Sequence, residues 1–207
     1  MDNTRKTGTT TIGIVAKDAI ILAADRRATV GHMIADDRAR KVTQIAPRMG
    51  VTWAGQVADI QILTKYLKSE IQLHTLRTNR EMTVREAGNL LSTWVYSVVR
   101  RMFPGITQFL IGGYDKQQRL YEVFPDGTLT EIPTFIATGS GSVFAYGVLE
   151  TQYKEKMDTQ EAINLAVKAV ETALRRDSAS GNGIIVAVID KEGYREVMDK
   201  HITAHLT

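Results

Sequence analysis

Hydrophobic spacing changes period several times along this chain, and the order of the changes limits the folds open to it. Thr9 to Val15 and Ala19 to Ala24 are β-branched or apolar runs split by Lys17-Asp18. They predict a hairpin with at least one buried face. A polar stretch runs from Asp25 to Arg40. Two short strands follow at Val42 to Ile45 and Gly50 to Ala54, turned by Pro47-Arg48. The period then becomes helical. Ile60, Leu63, Leu67 and Ile71 recur at steps of three and four, and Val84, Ala87, Leu91, Val95 and Val98 repeat the pattern. Thr83 with Glu86 reads as the capping box of this second helix. Strand spacing returns at Thr107 to Tyr114 and Arg119 to Phe124, before the turn Pro125-Asp126-Gly127. Two further helices are expected, at about Ser142 to Tyr153 and from Asp158 onward through Ala162, Ala166, Ala169, Val170 and Ala173. Strands at Ile184 to Ile189 and Tyr194 to Met198 close the chain around Lys191-Glu192-Gly193.

Strands, helices, strands, helices, strands: this grouping predicts an α+β protein with antiparallel hairpins under outer helices. Strict βαβ alternation, the mark of a doubly wound sheet, is absent. No linker, repeat or low-complexity segment divides the 207 residues, so one domain is expected. The charge balance is nearly even, 26 basic against 23 acidic side chains. The basic pairs Arg26-Arg27, Arg100-Arg101 and Arg175-Arg176 stand beside acids or apolar residues and form no stripe. Nucleic acid is therefore not an expected partner. The absence of cysteine removes disulfides, thiol catalysis and thiolate metal sites, and is compatible with a reducing cytoplasm. No apolar run reaches the length of a membrane span, and Met1 to Gly8 lacks the apolar centre of a signal peptide.

The four histidines, His32, His74, His201 and His205, adjoin no Gly-x-Ser-x-Gly elbow. His201 and His205 are four apart but read as part of a solvated tail, so no metal is expected. Gly139-Ser140-Gly141-Ser142 lacks the lysine of a phosphate loop and reads as a glycine turn opening a helix. Gly8-Thr9-Thr10-Thr11 has two readings. Inside a chain, Thr9 is a strand residue. At a chain terminus its α-amine, with an ordinary pKa of roughly 7.7–8.0, stands beside its hydroxyl and can take the proton. One residue then supplies nucleophile and base. That chemistry requires removal of residues 1–8 after Gly8, a residue free to adopt a strained turn at the cut.

Further motifs lie in order along the chain. Thr9-Thr10-Thr11-Ile12-Gly13 is followed by Ala23-Ala24-Asp25-Arg26-Arg27-Ala28-Thr29, by Lys41, and by Ala54-Gly55. Gly139-Ser140-Gly141 and Arg176-Asp177-Ser178-Ala179-Ser180-Gly181 come later. In order and spacing, over essentially the whole chain, this set resembles the proteasome β-subunit family, most closely its archaeal type. The resemblance implies the four-layer αββα sandwich of N-terminal nucleophile hydrolases. It implies a propeptide of residues 1–8, cut autocatalytically between Gly8 and Thr9, and a peptidase domain over 9–207. Thr9 matches the nucleophile, Lys41 the active-site lysine and Asp25 the acid that orients it. Ser140, Asp177 and Ser180 match a hydrogen-bond network around the terminal amine. Gly55 matches the oxyanion-hole donor.

Thr29 matches a position that holds substrate main chain in an extended pose. Ala28, Thr43, Trp53 and Val57 match the pocket for the residue before the cut. Trp53 reads equally as a core aromatic. As a pocket residue it should narrow the space and slow cleavage after large side chains. The expected activity is a threonine endopeptidase acting on unfolded polypeptide in the cytoplasm, without metal or organic cofactor. The expected partners are other β-subunits in a ring, α-subunit rings, and an ATPase regulator docking through the α-ring. The alternatives are the bacterial two-component peptidase related to the proteasome, and a non-catalytic ring subunit.

Overall fold

The computed structural model describes residues 8–99 and 107–202. The chain begins with β1 (Thr11–Val15), β2 (Ala19–Asp25), β3 (Ala28–Val30), β4 (Met33–Asp36), β5 (Val42–Ala46) and β6 (Met49–Gly55). Helices α1 (Val57–Thr78) and α2 (Val84–Val99) follow. Then come β7 (Thr107–Tyr114), β8 (Gln118–Val123), β9 (Leu129–Glu131) and β10 (Phe135–Thr138). Helices α3 (Ser142–Gln152) and α4 (Thr159–Arg176) precede β11 (Gly183–Asp190) and β12 (Gly193–His201).

One five-stranded sheet has the order β10-β1-β2-β11-β12, the other β5-β6-β7-β8-β9. Every pairing within them is antiparallel. The layering follows from which side chains each strand sends to each face. On β2, Ile21 and Ala23 face α3 and α4 in a cluster with Ala145, Leu149 and Ala166. Their neighbours Ile20, Leu22 and Ala24 face the second sheet, against Leu110 and Leu120. β11 divides in the same way, with Val186 and Val188 toward the helices and Ile185, Ala187 and Ile189 between the sheets. Strands covered on both faces must be apolar at every position, which is why Ala19–Ala24 and Ile184–Ile189 show no alternation. Helices α1 and α2 cover the far face of the second sheet through Ile60, Leu63, Leu67, Ile71, Val84, Ala87, Leu91 and Val95. The result is the α+β sandwich with αββα layers.

The helix signals correspond to real caps. Thr83 Oγ1 accepts from the Glu86 N–H at 3.2 Å, and Glu86 Oε2 accepts from the Thr83 N–H at 2.8 Å. Asp158 and Glu161 make the same reciprocal pair at the start of α4. Four short strands leave no mark in the sequence spacing. The polar stretch Asp25 to Arg40 contains β3 and β4, which pair into a separate two-stranded sheet. Sequence spacing also gives no sign of β9 and β10. Each of these strands has only three or four residues, too few to establish a period of two. The tail reading of His201 is corrected. It ends β12, paired opposite Gly183, and its Nε2 lies 3.5 Å from Asp37 Oδ2. His205, the pair Arg100-Arg101, the side chain of Val98 and residues 1–7 lie outside the described residues. Among the described residues no helix is long and apolar enough to cross a membrane.

Candidate active site

Thr9 sits just before β1, and the edges of three neighbouring segments meet around it. β1 pairs with β2, so Thr9 and Thr10 come against the end of β2, where Asp25 stands. Lys41 directly precedes β5 of the other sheet and projects into the same space. All three are buried: Thr9 is 3% exposed, Asp25 and Lys41 0%. Lys41 Nζ donates to Thr9 Oγ1 at 3.0 Å and to Asp25 Oδ1 at 2.7 Å.

A buried carboxylate must be fully satisfied. Asp25 Oδ1 also accepts from the Thr10 N–H at 2.9 Å. Its Oδ2 accepts from the N–H groups of Arg27 at 3.0 Å and Gly181 at 2.9 Å. Asp25 is thereby fixed by backbone as well as by charge, and it fixes Lys41 in turn. Burial pulls the Lys41 ammonium below its ordinary pKa, with the Asp25 carboxylate opposing that shift. The site favours a lysine that gives up its proton more readily than one in water.

A second set of contacts holds the Thr9 backbone. Ser140 Oγ accepts from the Thr9 N–H at 3.2 Å and donates to Asp177 Oδ2 at 2.6 Å. Ser180 Oγ donates to the same Asp177 oxygen at 2.7 Å and meets Thr10 Oγ1 at 2.7 Å. The Gly141 N–H reaches the Thr9 carbonyl at 3.3 Å. The loop comes this close because Gly139 and Gly141 have no side chains. A Cβ on Gly139, which has φ +87°, would overlap the Thr9 carbonyl oxygen, and one on Gly141 would overlap Thr10 Oγ1. The glycine turn read from sequence thus opens α3 and also packs against Thr9. Thr10, Arg27, Gly139, Gly141 and Gly181 join the site beyond the residues the motifs assign a role. Arg27 and Gly181 act through backbone N–H groups, Thr10 through its N–H and its Oγ1, and Gly139 and Gly141 through close approach.

Gly8 is held in a defined pose. Its N–H donates to Thr29 Oγ1 at 2.9 Å, and its carbonyl accepts from Thr9 Oγ1 at 2.6 Å. Thr9 Oγ1 therefore touches the peptide group it would have to attack. Ala28, Thr43, Trp53 and Val57 line one cavity of about 660 Å³. Two of its lining residues, Ala28 and Arg40, directly precede Thr29 and Lys41 in the chain. Trp53 is 8% exposed, is packed with Ile60 and Leu63 in the core under α1, and also forms a wall of this cavity. Gly55 closes β6 between Trp53 and Val57, with φ +126°, a conformation suited to glycine.

Two facing antiparallel sheets between helix layers are the architecture of N-terminal nucleophile hydrolases. Residues 5–189 match the family model described as "Proteasome subunit". A protein named "Proteasome subunit beta" from Methanosphaerula palustris is 46% identical over 196 residues, covering 94% of this chain and 92% of its own. One of the same name from Methanocaldococcus vulcanius is 44% identical over 198 residues, covering 95% and 88%. "Proteasome subunit beta 2" of Aeropyrum pernix is 44% identical over 191 residues, covering 92% and 86%. The chain belongs to the proteasome subunit family, as a β-subunit of the archaeal type.

Proposed function

We propose that this chain is a catalytic β-subunit of the 20S proteasome core, a threonine endopeptidase working inside a ring assembly. The observation that carries this is the 3.0 Å contact of Lys41 Nζ with Thr9 Oγ1, in a buried cluster anchored by Asp25. In this reading residues 1–8 are a propeptide, and 9–207 form the peptidase domain. The first reaction is internal. Thr9 Oγ attacks the Gly8 carbonyl carbon, the Gly8–Thr9 C–N bond breaks, and the acyl group passes to oxygen while the Thr9 amine is freed. Water hydrolyses the ester and releases residues 1–8. Before the cut Thr9 has only an amide nitrogen, so Lys41 in its neutral form, which burial favours, takes the hydroxyl proton and delivers it to the leaving Thr9 nitrogen.

After the cut the α-amine, placed by Ser140, Asp177 and Ser180, accepts the hydroxyl proton and passes it to the leaving amine of the substrate. Thr29 holds substrate main chain. The Gly55 N–H receives the developing oxyanion. The cavity bounded by Ala28, Thr43, Trp53 and Val57 takes the side chain before the cut. The partners in this reading are other β-subunits, α-rings, an ATPase regulator on the α-ring and unfolded polypeptide, in the cytoplasm.

The test is intact mass, measured on the purified chain alone and after mixing with an α-type subunit, together with hydrolysis of fluorogenic peptides. Loss of residues 1–8 on assembly, with activity appearing at the same time, is the expected result. Full mass under every condition with no hydrolysis replaces this reading with that of a non-catalytic ring subunit.

A further inference from the structure

The cavity behind Thr29 is apolar where Ala28, Trp53, Val57 and Ile60 wall it, and carries charge where Asp36, Arg40, Lys65 and Lys68 border it. Its outer wall is one face of α1. Val57, Ile60, Gln61, Thr64, Lys65 and Lys68 line it at steps of one, three and four residues, the spacing of a single helix face. Lys65 and Lys68 are exposed, and among the described residues neither has an ion-pair partner. Their helical neighbours offer none. Three and four positions from Lys65 stand Gln61, Ile62, Lys68 and Ser69; from Lys68, Thr64, Lys65, Ile71 and Gln72. The two ammonium groups are three residues apart, where like charges repel.

The other cation on the wall, Arg40, is already committed. Its guanidinium makes bonds of 2.6 and 2.7 Å to Glu196 and one of 3.1 Å to Asp199. The carboxylate on the wall is Asp36, whose Oδ1 accepts the Arg38 N–H at 2.8 Å. The cavity therefore carries two uncommitted positive charges against one negative charge. A surface lysine pair on a convex face is ordinary solvation. Here the pair borders a concavity with apolar walls, where a charge of opposite sign is held more strongly than in open water.

We propose that this cavity prefers an acidic side chain, Asp or Glu, in the residue before the cut, with Lys65 and Lys68 supplying the opposing charge. Such a side chain brings negative charge into the cavity that the Lys65 and Lys68 ammonium groups border. An arginine or lysine in the same place meets repulsion. This inference rests on the threonine-peptidase reading.

The test uses the assembled particle, with Thr9 shown to be freed by mass, and peptides that differ only in Glu, Leu or Arg before the reporter. The expected kcat/KM for Glu exceeds that for Arg by about tenfold, the scale of two partly exposed charge pairs. That ratio falls toward one at about 1 M salt, where the screening length is about 3 Å. In the doubly charge-reversed protein, Lys65→Glu with Lys68→Glu, the Glu-to-Arg ratio inverts. Equal rates for Glu and Arg, or a ratio untouched by salt in the unaltered protein, overturn the inference. The salt series needs no variant, so it decides the matter even if the charge-reversed chain fails to assemble. Hydrolysis of none of the peptides by a particle with a free Thr9 sinks the peptidase reading itself, and this inference with it.

Discussion

The carboxylate of Asp25 and the ammonium of Lys41 meet at 2.7 Å with no exposed surface on either side chain. One comes from the end of a strand in the first sheet and the other from the approach to the second, so the pair ties the two sheets together at Thr9. A buried pair is weak evidence for net stability, but breaking it on one side is costly. Lys41→Ala leaves Asp25 buried without its counter-charge. The expected loss of stability is about 3–5 kcal/mol, and peptidase activity should fall by about 10²–10⁴-fold. Denaturant unfolding and peptide hydrolysis measure the two effects. Unfolding indistinguishable from the parent chain would rule out this account of the pair.

Gly8 has little room for a side chain. A Cβ there would overlap the Ala179 Cβ and stand 2.7 Å from its Cα. Gly8→Ala should displace the Gly8 carbonyl from Thr9 Oγ1 and slow the release of residues 1–8. Adding Ala179→Gly should recover part of the rate, because one of the overlapping atoms is gone. Intact mass followed over time after assembly checks this. Processing of Gly8→Ala at the parent rate would contradict it.

Under the proposed mechanism, the chain freed of residues 1–8 should show an acid limb in kcat/KM. Activity rises with pH as the Thr9 amine loses its proton. An ordinary α-amine does so at roughly 7.7–8.0. A neighbouring cation at Lys41 disfavours a second positive charge, so the midpoint should lie below that range. A pH–rate profile decides it, and a midpoint above 8 would mean that Lys41 is not charged when the amine titrates.

Glu86 offers a pH effect on stability far from the site. Hydrogen bonds from Arg80, then the capping contacts with Thr83, hold its carboxyl down to about 2 from 4.5, against the opposing effect of burial. The folded pKa is depressed, so the stabilisation is complete above about pH 4.5 and is lost as pH falls toward 2. The side chain is 43% exposed, so solvent screening reduces the contribution to about 1 kcal/mol. The stability gap between parent and Glu86→Gln should be open at pH 7 and close near pH 2. A gap that does not change with pH would show that the charge of Glu86 is irrelevant to it.

Trp53→Ala should have two consequences. Removing a core aromatic from beneath α1 costs about 3–5 kcal/mol. Removing a wall of the cavity should raise the rate of cleavage after large side chains relative to small ones. Thermal unfolding reads the first, and a peptide series graded by side-chain size reads the second. If relative rates across that series are unchanged, Trp53 matters to packing and not to selection.

The sequence by itself determined the order of strands and helices and the α+β class. Continuous apolar runs in β2 and β11 mark buried strands, and the helical spacing in α1, α2 and α4 marks which side packs inward. Such patterns are legible because burial acts on many side chains at once and imposes a period. The motifs also carried Thr9, Asp25 and Lys41, whose residue types matter chemically.

Tertiary structure alone decided what surrounds them. Asp25 is satisfied by the N–H groups of Thr10, Arg27 and Gly181, and every residue but proline has an N–H, so no residue type announces that role. The close approach of Gly139 and Gly141 to Thr9 and Thr10 depends on a loop more than a hundred residues away in the chain. The small strands β3, which carries Thr29, and β4 are too short for any period to register. The cavity joins residues from β3, β5, β6 and α1, and the unpaired charge of Lys65 and Lys68 has meaning only because those elements make a concave wall there. Periodicity records which way a side chain faces. Only the packing of distant segments fixes what it faces.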